Sequence, residues 1–99
     1  MGSEILEKLE ELISERKENP REGSYTCSLF SKGKNEILKK LGEEAVEVIV
    51  AAYGEGKDRV IYESADLLYH LIVLLVEENL ELREVFKELE NRFGRPGGR

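Results

Sequence analysis

Ninety-nine residues, 40% of them hydrophobic, suffice for one compact domain and leave no room for two. A charged fraction of 36% with a formal net charge of −6 argues against nucleic acid as a partner, because polyphosphate backbones are held by basic surfaces. A small phosphate ligand stays open, since divalent cations bridge carboxylates to phosphates. Cys27 is the single cysteine, which excludes an intrachain disulfide and a cysteine-rich zinc site. Met1-Gly2-Ser3 leads into a charged amphipathic stretch with no apolar signal core, and the apolar run Leu71 to Val76 is far too short to span a bilayer. A soluble cytoplasmic protein without a membrane partner is expected.

The first predicted helix carries Ile5, Leu6, Leu9, Leu12 and Ile13 at three- and four-residue steps, with Ser3 as its N-cap. Asn19-Pro20 ends it, because a residue before proline is pushed out of the α region. A polar loop is expected next, from Arg21 through Ser24-Tyr25-Thr26 to Lys34, without periodicity. The second helix runs from about Asn35 to Tyr53, with Ile37, Leu38, Leu41, Ala45, Val48, Ile49 and Ala52 as its core stripe, and Gly54-Glu55-Gly56 breaks it. Asp58 is the expected N-cap of a third helix reaching about Glu78, and Asn79 a left-handed residue before a fourth, from about Glu81 to Phe93. The apolar face of that fourth helix is Leu82, Val85, Phe86, Leu89 and Phe93. Gly94 stops it, leaving residues 95–99 as a tail and 1–94 as the domain. The fold class is all-α, a bundle of four to five helices completed by oligomerisation.

Two acidic pairs carry the chemistry. Glu44 and Glu47 lie on one face of the second helix, beside the core stripe, with Lys40 and Ala51 in their row and Glu43 further toward solvent. Glu63 and Asp66 repeat the three-residue step on the third helix, with Arg59 and His70 on the same side. From Ala65 to Val76 that helix is apolar nearly all round, so it is expected to be buried. A carboxylate there must be paired, hydrogen-bonded or metal-bound. Packing the two faces together would gather four carboxylates, a repulsive cluster unless cations neutralise it. All-oxygen ligation selects magnesium, or manganese, and such a cation suits hydrolysis of a phosphoanhydride. The opposing reading is an ion-pair network in which Arg59 and Lys40 neutralise the acids.

These residues bear a specific resemblance. Glu43-Glu44-Ala45-Val46-Glu47, followed by Glu63-Ser64-Ala65-Asp66, matches the EExxE…ExxD pattern of the MazG-like all-α NTP pyrophosphohydrolases. Ser24-Tyr25-Thr26, Leu29-Phe30, Lys39-Lys40-Leu41-Gly42, Ala51-Ala52 and Leu67-Leu68-Tyr69-His70 are similar to the phosphoribosyl-ATP pyrophosphohydrolase branch, from the first helix to Phe93. The resemblance implies magnesium-dependent hydrolysis of the α–β phosphoanhydride of phosphoribosyl-ATP, giving phosphoribosyl-AMP and pyrophosphate, in histidine biosynthesis. It implies Glu44, Glu47, Glu63 and Asp66 as metal-binding acids with Glu43 a further catalytic participant. Ser24, Tyr25, Thr26, Lys32, Lys34 and Lys40 would be the phosphate and ribose contacts. Some relatives are fused to a zinc-dependent cyclohydrolase; one cysteine in 99 residues gives no expectation of that module here.

Blander readings attach to the remaining marked residues. His70 is expected at the pocket margin rather than on a metal, Cys27 in packing, and Tyr53, Tyr62, Tyr69, Phe86 and Phe93 in the core or a subunit interface. A house-cleaning (d)NTP pyrophosphohydrolase of the same superfamily shares the acids and differs in substrate. A non-catalytic dimerisation module would gain no stability from magnesium, and a ferritin-like di-iron site needs more histidine than this chain has. A homodimer built on the third and fourth helices is expected, because Leu68, Leu71, Ile72 and Leu75 lie beyond the acidic face.

Overall fold

The computed structural model describes residues 2–93, and among these all regular structure is helical. Five helices follow in order: α1 (Gly2–Glu18), α2 (Tyr25–Lys32), α3 (Lys34–Gly54), α4 (Lys57–Glu77) and α5 (Leu82–Arg92). The C-terminal tail, with its stop at Gly94, lies outside the described residues. No helix among the described residues is long and apolar enough to cross a membrane.

Helices α3 and α4 are each 21 residues, about 30 Å long, and form an antiparallel hairpin across Glu55-Gly56. Gly56 sits at φ +94° as the N-cap of α4, a conformation that a side chain would strain. Asp58 is therefore inside the first turn rather than the cap. Asn79 takes φ +59°, the left-handed residue expected between α4 and α5. Glu81 then caps α5 through a reciprocal capping box with Glu84. Helix α1 is already under way at Gly2, one residue ahead of the expected cap position.

The largest departure from the sequence reading is α2. The stretch expected as loop folds into eight residues of helix, because the Ser24 hydroxyl accepts the Cys27 N–H at 3.1 Å and caps its start. Cys27 and Leu29 bury the inner side, and Gly33, at φ +97°, turns the chain directly into α3.

The core draws on every helix: Ile13 from α1, Leu29 from α2, Ile37 from α3, Ile72, Val73, Leu75 and Val76 from α4, and Leu82 from α5. Each such side chain contributes about 1.5–3 kcal/mol through burial. Polar contacts seal the margins. Glu10 accepts the Leu82 N–H at 2.6 Å, and Lys17 donates to the Val76 carbonyl at 3.3 Å while lying over the Phe30 ring. Ile72 and Leu75 are thus buried within this chain and are not available to a partner.

On α3 the buried side is not the expected stripe. Ile37 and Ala51 are fully buried and Glu44 is buried beside them, whereas Leu38, Ile49 and Ala52 are exposed. The packed face has rotated toward the acidic row, because α4 lies over that row.

Candidate acidic active site

Glu44 occupies the middle of α3, and Glu63 and Asp66 lie one turn apart on α4. The antiparallel hairpin sets the two helices face to face. One carboxylate oxygen from each of Glu44, Glu63 and Asp66 then lies within 4.8 Å of the others. Glu63 and Glu44 are buried, at 4% and 9% exposure, and Asp66 is half-buried. Helical spacing brings Glu63 and Asp66 together; only tertiary packing adds Glu44.

Glu47 stands outside this group, exposed on the next turn of α3. The packing therefore gathers three of the four expected acids. Glu43 is also exposed and holds Lys40 at 3.4 Å, while Lys40 lies 3.8 Å from Glu44. Arg59 pairs with Glu63 at 2.5 Å and stacks on the Tyr62 ring. Part of the expected ion-pair network thus exists, yet Arg59 and Lys40 face Glu43, Glu44, Glu63 and Asp66, so negative charge remains in excess. Among the described residues no salt bridge reaches Asp66.

The electrostatics follow that excess. Burial and then the neighbouring Asp66 push the Glu44 carboxyl above its ordinary range, against the opposing pull of Lys40. Burial works to lower Lys40, but Tyr25, Glu43 and Glu44 outweigh it and hold the ammonium proton more tightly than usual. The Tyr25 phenol is raised, first by burial, with Lys40 opposing and Glu44 and Asp66 adding to the rise. Tyr25 thus lies within the field of the cluster.

Helix α2 delivers the rest. Its first residues project toward α4, where Tyr25 Oη is 3.0 Å from His70 Nε2 and the Thr26 hydroxyl is hydrogen-bonded to the Tyr69 hydroxyl. Tyr25 and Tyr69 stack with ring centres 6.2 Å apart. Ser24, by contrast, uses its hydroxyl as the helix cap. Lys34 pairs with Glu78 at 3.0 Å, twelve residues beyond Asp66 and so about 18 Å along the helix axis. Lys32 is exposed at the C-terminal end of α2. The structure does not bring Lys34 to the cluster. His70 and Tyr69 belong to it more closely than the sequence suggested; the four-residue step from Asp66 to His70 was the available signal.

The donor set fits a hard cation. Oxygens bound to magnesium at about 2.1 Å stand about 3.0 Å apart when adjacent and about 4.2 Å apart when opposite, so three oxygens within 4.8 Å of one another close in by at most about 2 Å to share one ion. Three carboxylates also leave positions for water and phosphate oxygens, as magnesium requires.

A sequence model described as phosphoribosyl-ATP pyrophosphohydrolase matches residues 6–93. A histidine biosynthesis bifunctional protein of Caldanaerobacter subterraneus subsp. tengcongensis is 56% identical over 92 residues, covering 93% of this chain and 45% of that protein. A phosphoribosyl-ATP pyrophosphatase of Limosilactobacillus fermentum is 56% identical over 89 residues, covering 90% of this chain and 84% of that one. Another, of Geotalea daltonii, is 48% identical over 97 residues, covering 98% and 92%. The chain spans less than half the length of the bifunctional relatives it matches and most of the length of the others.

Proposed function

We propose that this chain, which belongs to the phosphoribosyl-ATP pyrophosphohydrolase family, hydrolyses phosphoribosyl-ATP to phosphoribosyl-AMP and pyrophosphate in histidine biosynthesis. The observation that carries the reading is the convergence of Glu44, Glu63 and Asp66 on one small space between two helices. Those carboxylates would hold magnesium, or manganese, which when bound neutralises phosphate oxygens and lowers the pKa of water. Glu47 and Glu43 stand on the exposed rim, next to the ligands, where a second cation or the substrate can engage them.

The chain's own residues divide the remaining work. Lys40, its proton held firmly between Tyr25 and the acids, offers a cation to the phosphates. Tyr25 and Thr26 stand over the site as substrate contacts. Buried Glu63 is kept in place by Arg59 as one of the three ligands. Ser24 serves indirectly, by fixing the first turn of α2, and Lys34 lies too far along the bundle to be retained as a contact.

Assembly follows from what the fold leaves uncovered. Val46, Ile49, Val50 and Tyr53 recur at three- and four-residue steps on the side of α3 opposite its buried face, and all are exposed. On α4, Ile61 and Leu68 are exposed as well. We place a homodimer contact on the α3–α4 hairpin, rather than on α4 and α5 as the sequence suggested. The cytoplasm, where nucleotide substrates and magnesium are available, is the setting for this reaction.

Pyrophosphate release from phosphoribosyl-ATP, measured beside a panel of ordinary and deoxy NTPs with and without magnesium, tests the assignment. Selective, magnesium-dependent release from phosphoribosyl-ATP is expected. A preference for a (d)NTP would move the chain to a house-cleaning role, and activity undiminished in chelator would remove the metal.

A further inference from the structure

Beside the carboxylates runs a hydrogen-bonded line whose proton positions can be assigned. Tyr25 Oη is 3.0 Å from Nε2 of His70, and Nδ1 of His70 is 2.8 Å from the backbone carbonyl oxygen of Asp66. A carbonyl has no proton to give, so Nδ1 donates. In the neutral imidazole Nε2 then holds only a lone pair, and the Tyr25 hydroxyl donates to it. His70 is 3% exposed and wedged edge-on against Tyr69 and Tyr25, with ring centres 4.9 Å and 5.8 Å away. Turning the ring over would put carbon against the Asp66 carbonyl.

The consequence falls on Tyr25, which is 49% exposed and faces the site. With its proton committed to His70, its oxygen presents lone pairs outward. Such an oxygen accepts hydrogen bonds and repels an ionised phosphate. We infer that His70 is a positioning residue which fixes Tyr25 as an acceptor, and that Tyr25 receives a sugar hydroxyl of the substrate rather than a phosphate oxygen. The inference rests on the function proposed above and separates two contacts, ribose and phosphate, that the Ser24-Tyr25-Thr26 motif left together.

The chain has one histidine, so ¹⁵N-histidine labelling reports on His70 alone. Long-range nitrogen–proton correlation spectra in mildly alkaline buffer should place the ring proton on Nδ1. A proton on Nε2 overturns the inference, whatever the substrate. In kinetics, Tyr25→Phe and His70→Asn should each raise KM about 10-fold, roughly the loss of one net hydrogen bond. Their combination should cost no more than either alone, because both remove the same interaction. Additive losses would mean that His70 merely supports the fold. His70→Gln, whose amide oxygen can stand where Nε2 accepts, should recover most of the His70→Asn loss; equal losses count against the idea. Inorganic pyrophosphate, used as a product inhibitor, separates the two contacts: its inhibition constant should not change in Tyr25→Phe although KM rises. A parallel weakening would return Tyr25 to the phosphates. Should the His70 variants fail to fold, the wild-type spectrum and the Tyr25→Phe inhibition still decide. Wild-type protein inert toward phosphoribosyl-ATP would defeat the proposed function, while the spectrum would still report the hydrogen-bonded line.

Discussion

At Glu44, burial and a neighbouring carboxylate act in the same direction, and the result can be read in stability. A carboxyl whose folded-state pKa is raised binds its proton more tightly folded than unfolded. Its effect on metal-free stability is therefore most favourable below the ordinary carboxylate pKa and is lost as pH climbs through the raised one. Glu44→Gln removes that charge, so in chelator at neutral pH the variant should melt higher than wild type and lose the pH dependence. Added magnesium should stabilise wild type and leave the variant behind. A variant that melts lower in chelator would mean that the Lys40 contact outweighs the repulsion. Asp66→Asn carries the catalytic side of the claim. No salt bridge among the described residues reaches Asp66, so the change strands no cation and metal-free stability should not fall. Turnover should fall about 10²–10³-fold, as for loss of a comparable electrostatic group, measured as pyrophosphate release at saturating substrate. The acids were legible because i, i+3 spacing survives translation into any helix. Glu47 was not excluded by that logic, since which of two adjacent turns faces a neighbour depends on the crossing of α3 and α4, and no pattern within one helix encodes it.

Helix α2 shows what periodicity cannot see. Its eight residues include two serines, a threonine and a cysteine, all weak helix formers, and a helix this short is unstable alone. It persists because Cys27 and Leu29 are buried and Ser24 caps it, which are tertiary and local effects rather than repeats. The same folding converts Ser24 from an expected substrate contact into the device that sets Tyr25 and Thr26. Ser24→Ala should cost about 0.5–2 kcal/mol, the usual range for a lost N-cap, in chemical denaturation. It should also raise KM, because both contact residues sit in the first turn; an unaltered KM at full folding would separate the cap from the site. The long helices α3 and α4 were legible to within a residue or two, from apolar runs bounded by glycines. Their facing was less so. Leu38 and Ile49 looked like core because α3 is apolar on two sides, and sequence alone does not rank them.

At the scale of the whole molecule those two apolar sides decide the assembly. One side of α3 packs on α4 within the chain; the other carries Val46, Ile49, Val50 and Tyr53 into solvent, Tyr53 being 95% exposed. An expectation of oligomerisation was available from length and composition, but its location was not, because Ile72 and Leu75 could be assigned to the core only once α1 and α5 were seen to cover them. A twofold contact through the hairpin would bury each of these side chains twice, once per subunit. Burial of an isoleucine is worth about 1.5–3 kcal/mol, so Ile49→Asp forfeits about 3–6 kcal/mol across the pair before the added carboxylate is counted. Such a loss weakens association by about 10²–10⁴-fold. Leu12, exposed on α1, provides the control, since Leu12→Asp changes charge and hydropathy equally. Sedimentation equilibrium at micromolar concentration should therefore find wild type and Leu12→Asp as dimers and Ile49→Asp as a monomer. A wild-type monomer under those conditions refutes the assembly, and a dimer that survives Ile49→Asp but not Leu12→Asp moves the contact to α1.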